Sequence, residues 1–168
     1  MNEKLKSLNI EYKPINNIFK IDDSLYLIVG KEKSGKTTLL NKIAEINSEC
    51  KIKTYYLSTN QENINNYDKY SNIVAKELNF ENLKYIWNDI KKEEKSENKY
   101  ILLIDDVEEA MMKIKSDKIK IQFDSEENEI LIKKAFNMLL LDIFTKVRRY
   151  HTLCMCVKTW QTIDIKYL

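Results

Sequence analysis

The sequence predicts an α/β fold in which a mainly parallel sheet is covered by helices on both faces. Short apolar runs at Leu25–Val29, Tyr100–Ile104 and Thr152–Val157 are typical of strands that are buried on both faces. Between such runs lie segments with apolar residues at helical spacing, as in Thr37–Ile46. Because strands that alternate with helices usually join through crossovers, this order favours a parallel sheet.

The first half of the chain supplies two strands. Residues 1–24 are polar and are predicted to form an N-terminal extension, with a short extended segment at 15–21, ahead of one domain at 25–168. After the first strand and its helix, Lys53–Ser58 is rich in aromatic and β-branched residues and is predicted to be the second strand. The Asn-rich stretch Asn60–Asn72 is predicted to be a loop.

The second half is predicted to contain two helices and two strands. The first helix precedes the strand Tyr100–Ile104 and has its apolar face at Phe80, Leu83, Ile86, Trp87 and Ile90. Asp124 and Ser125 offer N-caps for a long helix that reaches about Tyr150. The inward residues of this long helix are predicted to be Leu131, Ala135, Met138, Leu139, Phe144 and Val147. The strand Thr152–Val157 follows it.

Composition restricts the class of protein but not its function. The chain has 168 residues, 28 of them basic and 26 acidic, so that the net charge of +2 does not by itself indicate nucleic-acid binding. No apolar run reaches the roughly 18 residues of a membrane helix, and Met1–Leu5 does not begin a signal peptide. We therefore expect a cytoplasmic protein without membrane contact. Cys50, Cys154 and Cys156 are interpreted as small core residues in a reducing compartment.

A phosphate-binding loop follows the first strand. Residues 30–37 match G-x-x-x-x-G-K-[ST], and the chain's two glycines occupy its two glycine positions. In this pattern main-chain N–H groups and the N-terminus of the next helix surround a phosphate, the lysine reaches the β- and γ-phosphates, and the hydroxyl ligates Mg²⁺. Lys36 is thus a predicted catalytic residue and Thr37 a predicted Mg²⁺ ligand. The predicted nucleotide-binding residues are Gly30, Lys31, Glu32, Lys33, Ser34, Gly35, Lys36, Thr37 and Thr38.

An acidic pair ends the strand Tyr100–Ile104. Asp105 is predicted to hold Mg²⁺ through water, and Asp106 to orient or deprotonate the attacking water. The alternative is that Asp106 and the following acidic residues only open a helix, whose N-terminus favours negative charge.

The spacing of the two motifs indicates the branch of P-loop proteins. Between Thr37 and Asp105 there is room for a helix, the strand Lys53–Ser58 and another helix, an arrangement that indicates an additional-strand P-loop NTPase. No Asn-Lys-x-Asp motif follows a later strand, which argues against a GTPase.

These motifs, the long helix and the segment around Arg149 resemble the genome-packaging ATPases of poxviruses and other large DNA viruses, in the FtsK–HerA superfamily. The resemblance implies an ATPase that moves double-stranded DNA, as a ring with ATP at its subunit interfaces, in a host cytoplasm or a virion. It also implies that Arg149 reaches a neighbouring subunit's γ-phosphate and that Gln161 senses it. Tyr150 stands where the family has histidine, with His151 adjacent.

Other interpretations stay open at this stage. Arg148 and Arg149 can simply stabilise a helix C-terminus. The protein can also be a small-molecule P-loop kinase, although its scarcity of arginine counts against this. It can equally be a regulatory subunit that binds a nucleotide with little hydrolysis, an alternative that the short segment after Gln161 leaves open.

A lysine-rich segment is the predicted DNA contact. If residues 112–121 form a hairpin that turns at Ser116-Asp117, Lys113 faces Lys120 and Lys115 faces Lys118. Like charges in these positions repel each other unless an anion lies between them, so we expect them to follow a phosphate backbone. The alternative is a solvated helix extension or an insert.

Overall fold

The computed structural model describes residues 25–49, 52–92, 100–114, 118–123, 126–146 and 152–157. Within these ranges the elements are β1 (Leu25–Val29), α1 (Lys36–Glu49), β2 (Lys53–Ser58), α2 (Gln61–Asn65), β3 (Ile73–Glu77), α3 (Phe80–Lys92), β4 (Tyr100–Ile104), α4 (Val107–Lys113), β5 (Lys118–Phe123), β6 (Glu126–Leu131), α5 (Ile132–Lys146) and β7 (Thr152–Val157). The predicted extension at 1–24 lies outside the described residues.

The main sheet confirms the predicted parallel α/β fold. Its five strands have the order β1-β7-β4-β2-β3, and every neighbouring pair is parallel. Strand β7 therefore lies between β1 and β4. Because all five strands run in the same direction, the loop after β1 and the acidic pair after β4 lie at the same carboxyl edge of the sheet.

Helices cover both faces of this sheet. Successive side chains of a strand point to opposite faces, and in β2 the Tyr55 and Leu57 side chains belong to one core cluster while Tyr56 belongs to the other. Helix α1 packs on the Tyr56 face, and α3 and α5 supply the opposite face. All five residues of β4 are buried, as expected for a strand between two helical layers.

Four strands have the bounds that the sequence predicts: β1, β2, β4 and β7. The amphipathic helix is also confirmed, since α3 buries all five of its predicted inward residues. Helix α1 includes the predicted helix and extends three residues beyond it to Glu49.

The prediction of one long helix from Asp124 is wrong. Residues Glu126–Leu131 form β6, which pairs antiparallel with β5, and α5 begins only at Ile132. Glutamate has good helix propensity, but pairing with β5 overrides this local preference. Leu131 and Met138, predicted to point inward, are 46% and 40% exposed. The buried residues of α5 are Ala135, Phe136, Leu140 and Ile143.

The segment between β2 and α3 is more ordered than predicted. Asn60 caps the short helix α2, accepting hydrogen bonds from the Glu62 and Asn63 amides at 2.9 and 3.4 Å. The sequence reasoning missed β3, which pairs with β2 at the end of the described sheet. Its Lys76-Glu77 end weakens the apolar signal, and such charges are common in strands with one unpaired edge.

The predicted hairpin with facing lysines is wrong. Lys113 belongs to α4 and pairs with Glu109 at 2.7 Å, one helical turn away. Strand β5 pairs with β6 instead, which sets Lys118 opposite Leu131 and Lys120 opposite Glu129. Lys115 lies outside the described residues. Of the described residues in the segment 112–121, only 112 and 113 extend a helix, as the alternative predicts, whereas 118–121 belong to β5. Acidic residues at the start of α4 and a lysine at its end suit the helix dipole.

Candidate functional site

The loop between β1 and α1 contains two left-handed residues. Lys33 has φ of 58° and Gly35 has φ of 88°. The other glycine leaves room for a neighbouring side chain: a Cβ on Gly30 would lie 2.5 Å from Ser34 Oγ, so a larger residue there would require the Ser34 side chain to move. Left-handed residues within such a loop turn successive N–H groups into a concave anion-binding surface. The two glycines therefore permit the compact loop that the motif predicts.

Lys36 closes this loop with its own ammonium group. Its Nζ donates to the carbonyl oxygens of Gly30 and Lys31, both at 2.8 Å. The Ser34 amide also donates to Lys31 O at 3.3 Å, and Leu39 N donates to Gly35 O at 2.9 Å as α1 begins. The side chain thus returns across the loop instead of extending into solvent, and places a positive charge at the loop and the helix N-terminus together.

The predicted nucleotide-binding residues form one continuous segment. Residues 31–35 are exposed, Thr37 is half-buried and Thr38 is exposed in the first turn of α1. The N-terminus of a helix carries unpaired amides and a partial positive charge, so this turn favours an anion. Its accessibility allows a ligand to approach from solvent.

The acidic pair lies at the same edge. Asp105 is completely buried, and its Oδ1 accepts from the Asp106 amide at 3.1 Å. The Asp105 amide donates to Leu57 O at 2.8 Å, so that the ladder between β2 and β4 extends to this residue. Asp106 has φ of 55° and stands at the N-cap of α4, where its side chain makes no capping hydrogen bond. Asp106 therefore occupies the N-cap position of α4, but its carboxylate does not cap the helix.

The charge on Asp106 is sensitive to both motifs. Burial first, and then the negative charges of Asp105 and Glu109, raises the pKa of Asp106 to about 6. The positive charge of Lys36 lowers the same pKa. Lys36 and the acidic pair are therefore close enough to interact electrostatically, although β7 separates the strands that carry them.

Two features at this edge were missed by the sequence reasoning. The hydroxyl of Thr59, the residue directly after β2, is buried and has no hydrogen-bond partner in the described part of the chain. Tyr67 donates from its hydroxyl to Asn41 Oδ1 at 2.8 Å and so fixes the turn after α2 against α1. The only sequence signal for Thr59 is its position in Ser58-Thr59-Asn60, a polar run that follows a strand.

Several predicted site residues cannot be placed in this geometry. Arg148, Arg149, His151 and Gln161 lie outside the described residues. Among the residues that are described, no group of three or more His, Cys, Asp or Glu side chains is arranged to hold a metal ion. None of the helices described here is long and apolar enough to cross a membrane.

Comparison with known proteins does not identify a family. No protein-family model matches this chain. No curated protein matches its sequence either.

Proposed function

We propose that this chain is an additional-strand P-loop NTPase that binds ATP with Mg²⁺ at residues 30–38 and hydrolyses it. The observation that carries the proposal is the contact of Lys36 Nζ with the Gly30 and Lys31 carbonyl oxygens. This contact holds an ammonium group inside a loop of main-chain amides at a helix N-terminus, which is an arrangement suited to a polyphosphate. The position of β7 between β1 and β4 is compatible with the additional-strand branch.

In this proposal the phosphates bind to the loop amides and to Lys36. The ammonium group exchanges its two carbonyl contacts for the more strongly charged oxygens of the β- and γ-phosphates. Thr38 lies in the first turn of α1, whose positive N-terminus would attract the same phosphates. The selection of ATP over GTP rests on the resemblance described above and on the absence from the sequence of the Asn-Lys-x-Asp motif typical of GTPases.

Thr37 and Asp105 fit the binding of Mg²⁺. Asp105 is a completely buried carboxylate at the edge where the phosphates would lie, and carboxylate oxygens are ligands suited to Mg²⁺. Mg²⁺ commonly keeps several waters and takes one or two protein oxygens beside phosphate oxygens, so a large cluster of protein ligands is not needed. When bound, the ion would neutralise charge that develops on the phosphates.

Asp106 is the proposed general base. With a pKa of about 6, its carboxylate is mostly ionised at neutral pH and remains basic enough to accept a proton. The water oxygen forms a bond to the γ-phosphorus while the bond to the β,γ-bridging oxygen breaks. The water proton passes to Asp106, and ADP and inorganic phosphate leave.

The test compares two lysines of the same helix. Lys36→Ala should lower ATP affinity or turnover by at least about 100-fold, because it removes the charge that meets the β- and γ-phosphates. Lys42→Ala is the matched control, since Lys42 lies on the exposed side of α1 and pairs with Glu45 at 3.2 Å. ATP binding by calorimetry and phosphate release with Mg²⁺ give the two readouts. Equal ATP binding and turnover in the Lys36→Ala protein and the control would falsify the proposal.

A DNA-translocating role is a further part of the proposal and rests on the resemblance alone. It predicts that double-stranded DNA stimulates phosphate release and that ATP promotes assembly of a ring. The hairpin that suggested a DNA contact by Lys113, Lys115, Lys118 and Lys120 is not formed, since Lys113 lies in α4 and Lys120 stands opposite Glu129, so this contact now rests on no strand pairing. Phosphate transfer to a small acceptor would instead indicate a kinase, and tight ATP binding without turnover a regulatory subunit.

A further inference from the structure

Ser58, which ends β2, and the next residues Thr59 and Asn60 differ in how their side chains are used. Ser58 Oγ accepts from the Asn60 amide at 3.1 Å, and Asn60 caps α2. The Thr59 hydroxyl between them is buried without a hydrogen-bond partner in the described part of the chain. A buried hydroxyl without a partner is unfavourable for folding, so its presence at an edge that carries a candidate site points to a ligand.

The strand register places Thr59 beside the acidic pair. The pairing of β2 with β4 reaches Leu57 opposite Ile104, and the Asp105 amide continues it by donating to Leu57 O. Continued by two residues, this register sets Ser58 opposite Asp105 and Thr59 opposite Asp106. Thr59 and Asp106 both lie at the carboxyl edge of the sheet, where the phosphate loop also begins.

We propose that Thr59 is a further catalytic residue whose hydroxyl hydrogen-bonds the water that attacks the γ-phosphate. This inference rests on the ATPase function proposed above. The water then has two partners: Asp106 accepts the proton that leaves during attack, and Thr59 Oγ accepts the second O–H, which stays on the oxygen that becomes part of inorganic phosphate. Two partners orient the lone pair of the water towards phosphorus, which a single carboxylate would leave free to rotate.

A structural role for Thr59 predicts a different result from this catalytic role. If the hydroxyl stabilises the fold, its replacement by the valine methyl group removes a hydrogen bond, and the protein becomes less stable. If the hydroxyl only binds the attacking water, its removal costs no hydrogen bond within the nucleotide-free protein, so the stability of that protein should not fall. Valine has nearly the same shape as threonine but no hydroxyl, so Thr59→Val separates the two roles.

The experiment measures turnover, ATP affinity and thermal unfolding for three variants. Thr59→Val should lower kcat by about 10- to 100-fold while ATP affinity changes by less than about twofold. Its melting temperature without nucleotide should equal or exceed that of the wild type. Thr59→Ser, which keeps a hydroxyl, should retain at least about half of the wild-type kcat. The control is Thr145→Val, because the Thr145 hydroxyl donates to carbonyl oxygens of its own helix α5, Leu141 O at 2.9 Å and Asp142 O at 3.1 Å.

Two results would overturn the assignment of Thr59 while leaving the ATPase proposal intact. One is wild-type kcat in Thr59→Val together with an inactive Lys36→Ala protein. The other is a lower melting temperature with weaker ATP binding in Thr59→Val, which indicates a structural role. If the wild type itself releases no phosphate, or if Lys36→Ala behaves like the wild type, the proposed function fails and the role of Thr59 fails with it.

Discussion

Polar side chains at the amino ends of β2 and β4 are arranged differently from those at the carboxyl ends. At the amino ends, Asp89 Oδ2 accepts from the Tyr55 hydroxyl at 2.5 Å and lies 3.4 Å from Lys53 Nζ. Lys53 Nζ also stands 5.2 Å from the ring centres of both Tyr55 and Tyr100. The hydrogen bond from Tyr55, with the charge of Lys53, lowers the pKa of Asp89, and burial with the same bond raises the pKa of Tyr55 to about 12.

At the carboxyl ends several acidic residues lie close together: Asp105 adjoins Asp106, and Glu108 and Glu109 follow, with Glu109 paired to Lys113 at 2.7 Å. Burial first, and then the negative charges of Asp105, Glu109 and Glu108, raise the pKa of Asp106. The Thr59 hydroxyl at the same edge is buried without a partner among the described residues. The polar groups of the amino edge therefore stabilise one another, whereas the carboxyl edge holds a buried hydroxyl and a carboxylate of raised pKa, as expected for the proposed site.

The largest expected effect separates function from stability at the carboxyl edge. Asp106→Asn should lower kcat by about 10²- to 10⁴-fold, because it removes the proposed base. In EDTA at pH 7 the same variant should unfold at a higher temperature than the wild type. The folded-state pKa of Asp106 is raised from 3.8 to about 6, so the wild type loses stability as pH rises through this range and the asparagine protein does not.

The control for this prediction is Glu81→Gln, an equivalent change in the first turn of α3, where the side chain is exposed. It should leave kcat unchanged. A lower melting temperature for Asp106→Asn would contradict the view that this edge is destabilised in favour of function.

The amino edge should give the reverse pattern. Tyr55→Phe removes the hydroxyl that bonds to the Asp89 carboxylate and should lower the free energy of unfolding by about 1–2 kcal/mol, with kcat unchanged. Urea unfolding gives the measurement, and Tyr85→Phe is the control because Tyr85 is 58% exposed. A loss of activity without a loss of stability would remove the contrast between the two edges.

The smallest expected effect concerns Asp142, which joins α3 and α5 by accepting from Trp87 Nε1 at 2.7 Å. Burial raises the pKa of Asp142, but hydrogen bonds from Lys146 and Trp87 outweigh this effect and lower it. The stabilisation is therefore present at neutral pH and is lost as pH falls through the folded-state pKa, below about 4. Asp142→Asn should lower the free energy of unfolding by roughly 1 kcal/mol at pH 7.

Unfolding curves between pH 3 and 7 test this prediction. The difference between Asp142→Asn and the wild type should shrink as pH falls below about 4 towards the lowered pKa of the wild-type carboxylate. Asp68→Asn, an exposed change in the turn after α2, controls for the loss of one negative charge. A difference that stays constant over the whole range would show that the charge of Asp142 does not contribute.

The success of sequence reasoning depended on how local each feature is. The bounds of β1, β2 and β4 were predictable because apolar residues alone mark a strand buried on both faces. The strand β6 was not predictable from its glutamates, since its partner β5 decides its conformation. The hairpin prediction failed for the same reason. Strand β5 pairs with β6, and the lysine-rich segment by itself does not show which other segment it pairs with.

The residues of the candidate site also differ in whether the local sequence is enough to predict them. Gly30, Gly35 and Lys36 were identified by spacing, because a loop of eight residues carries its own conformational requirements. The left-handed backbone of Asp106 and the buried Thr59 hydroxyl carry no comparable pattern. Both depend on the neighbouring strands and helices that surround them.

The alternation of buried strands with helices and the compact loop between β1 and α1 could be predicted from the amino acids alone, because short-range sterics and hydrophobic periodicity suffice for both. The position of β7 between β1 and β4 and the pairing of β5 with β6 emerge only when the chain is folded. The physical reason is that hydrogen bonding and desolvation join residues distant in sequence, and their free energies depend on the complete set of neighbours.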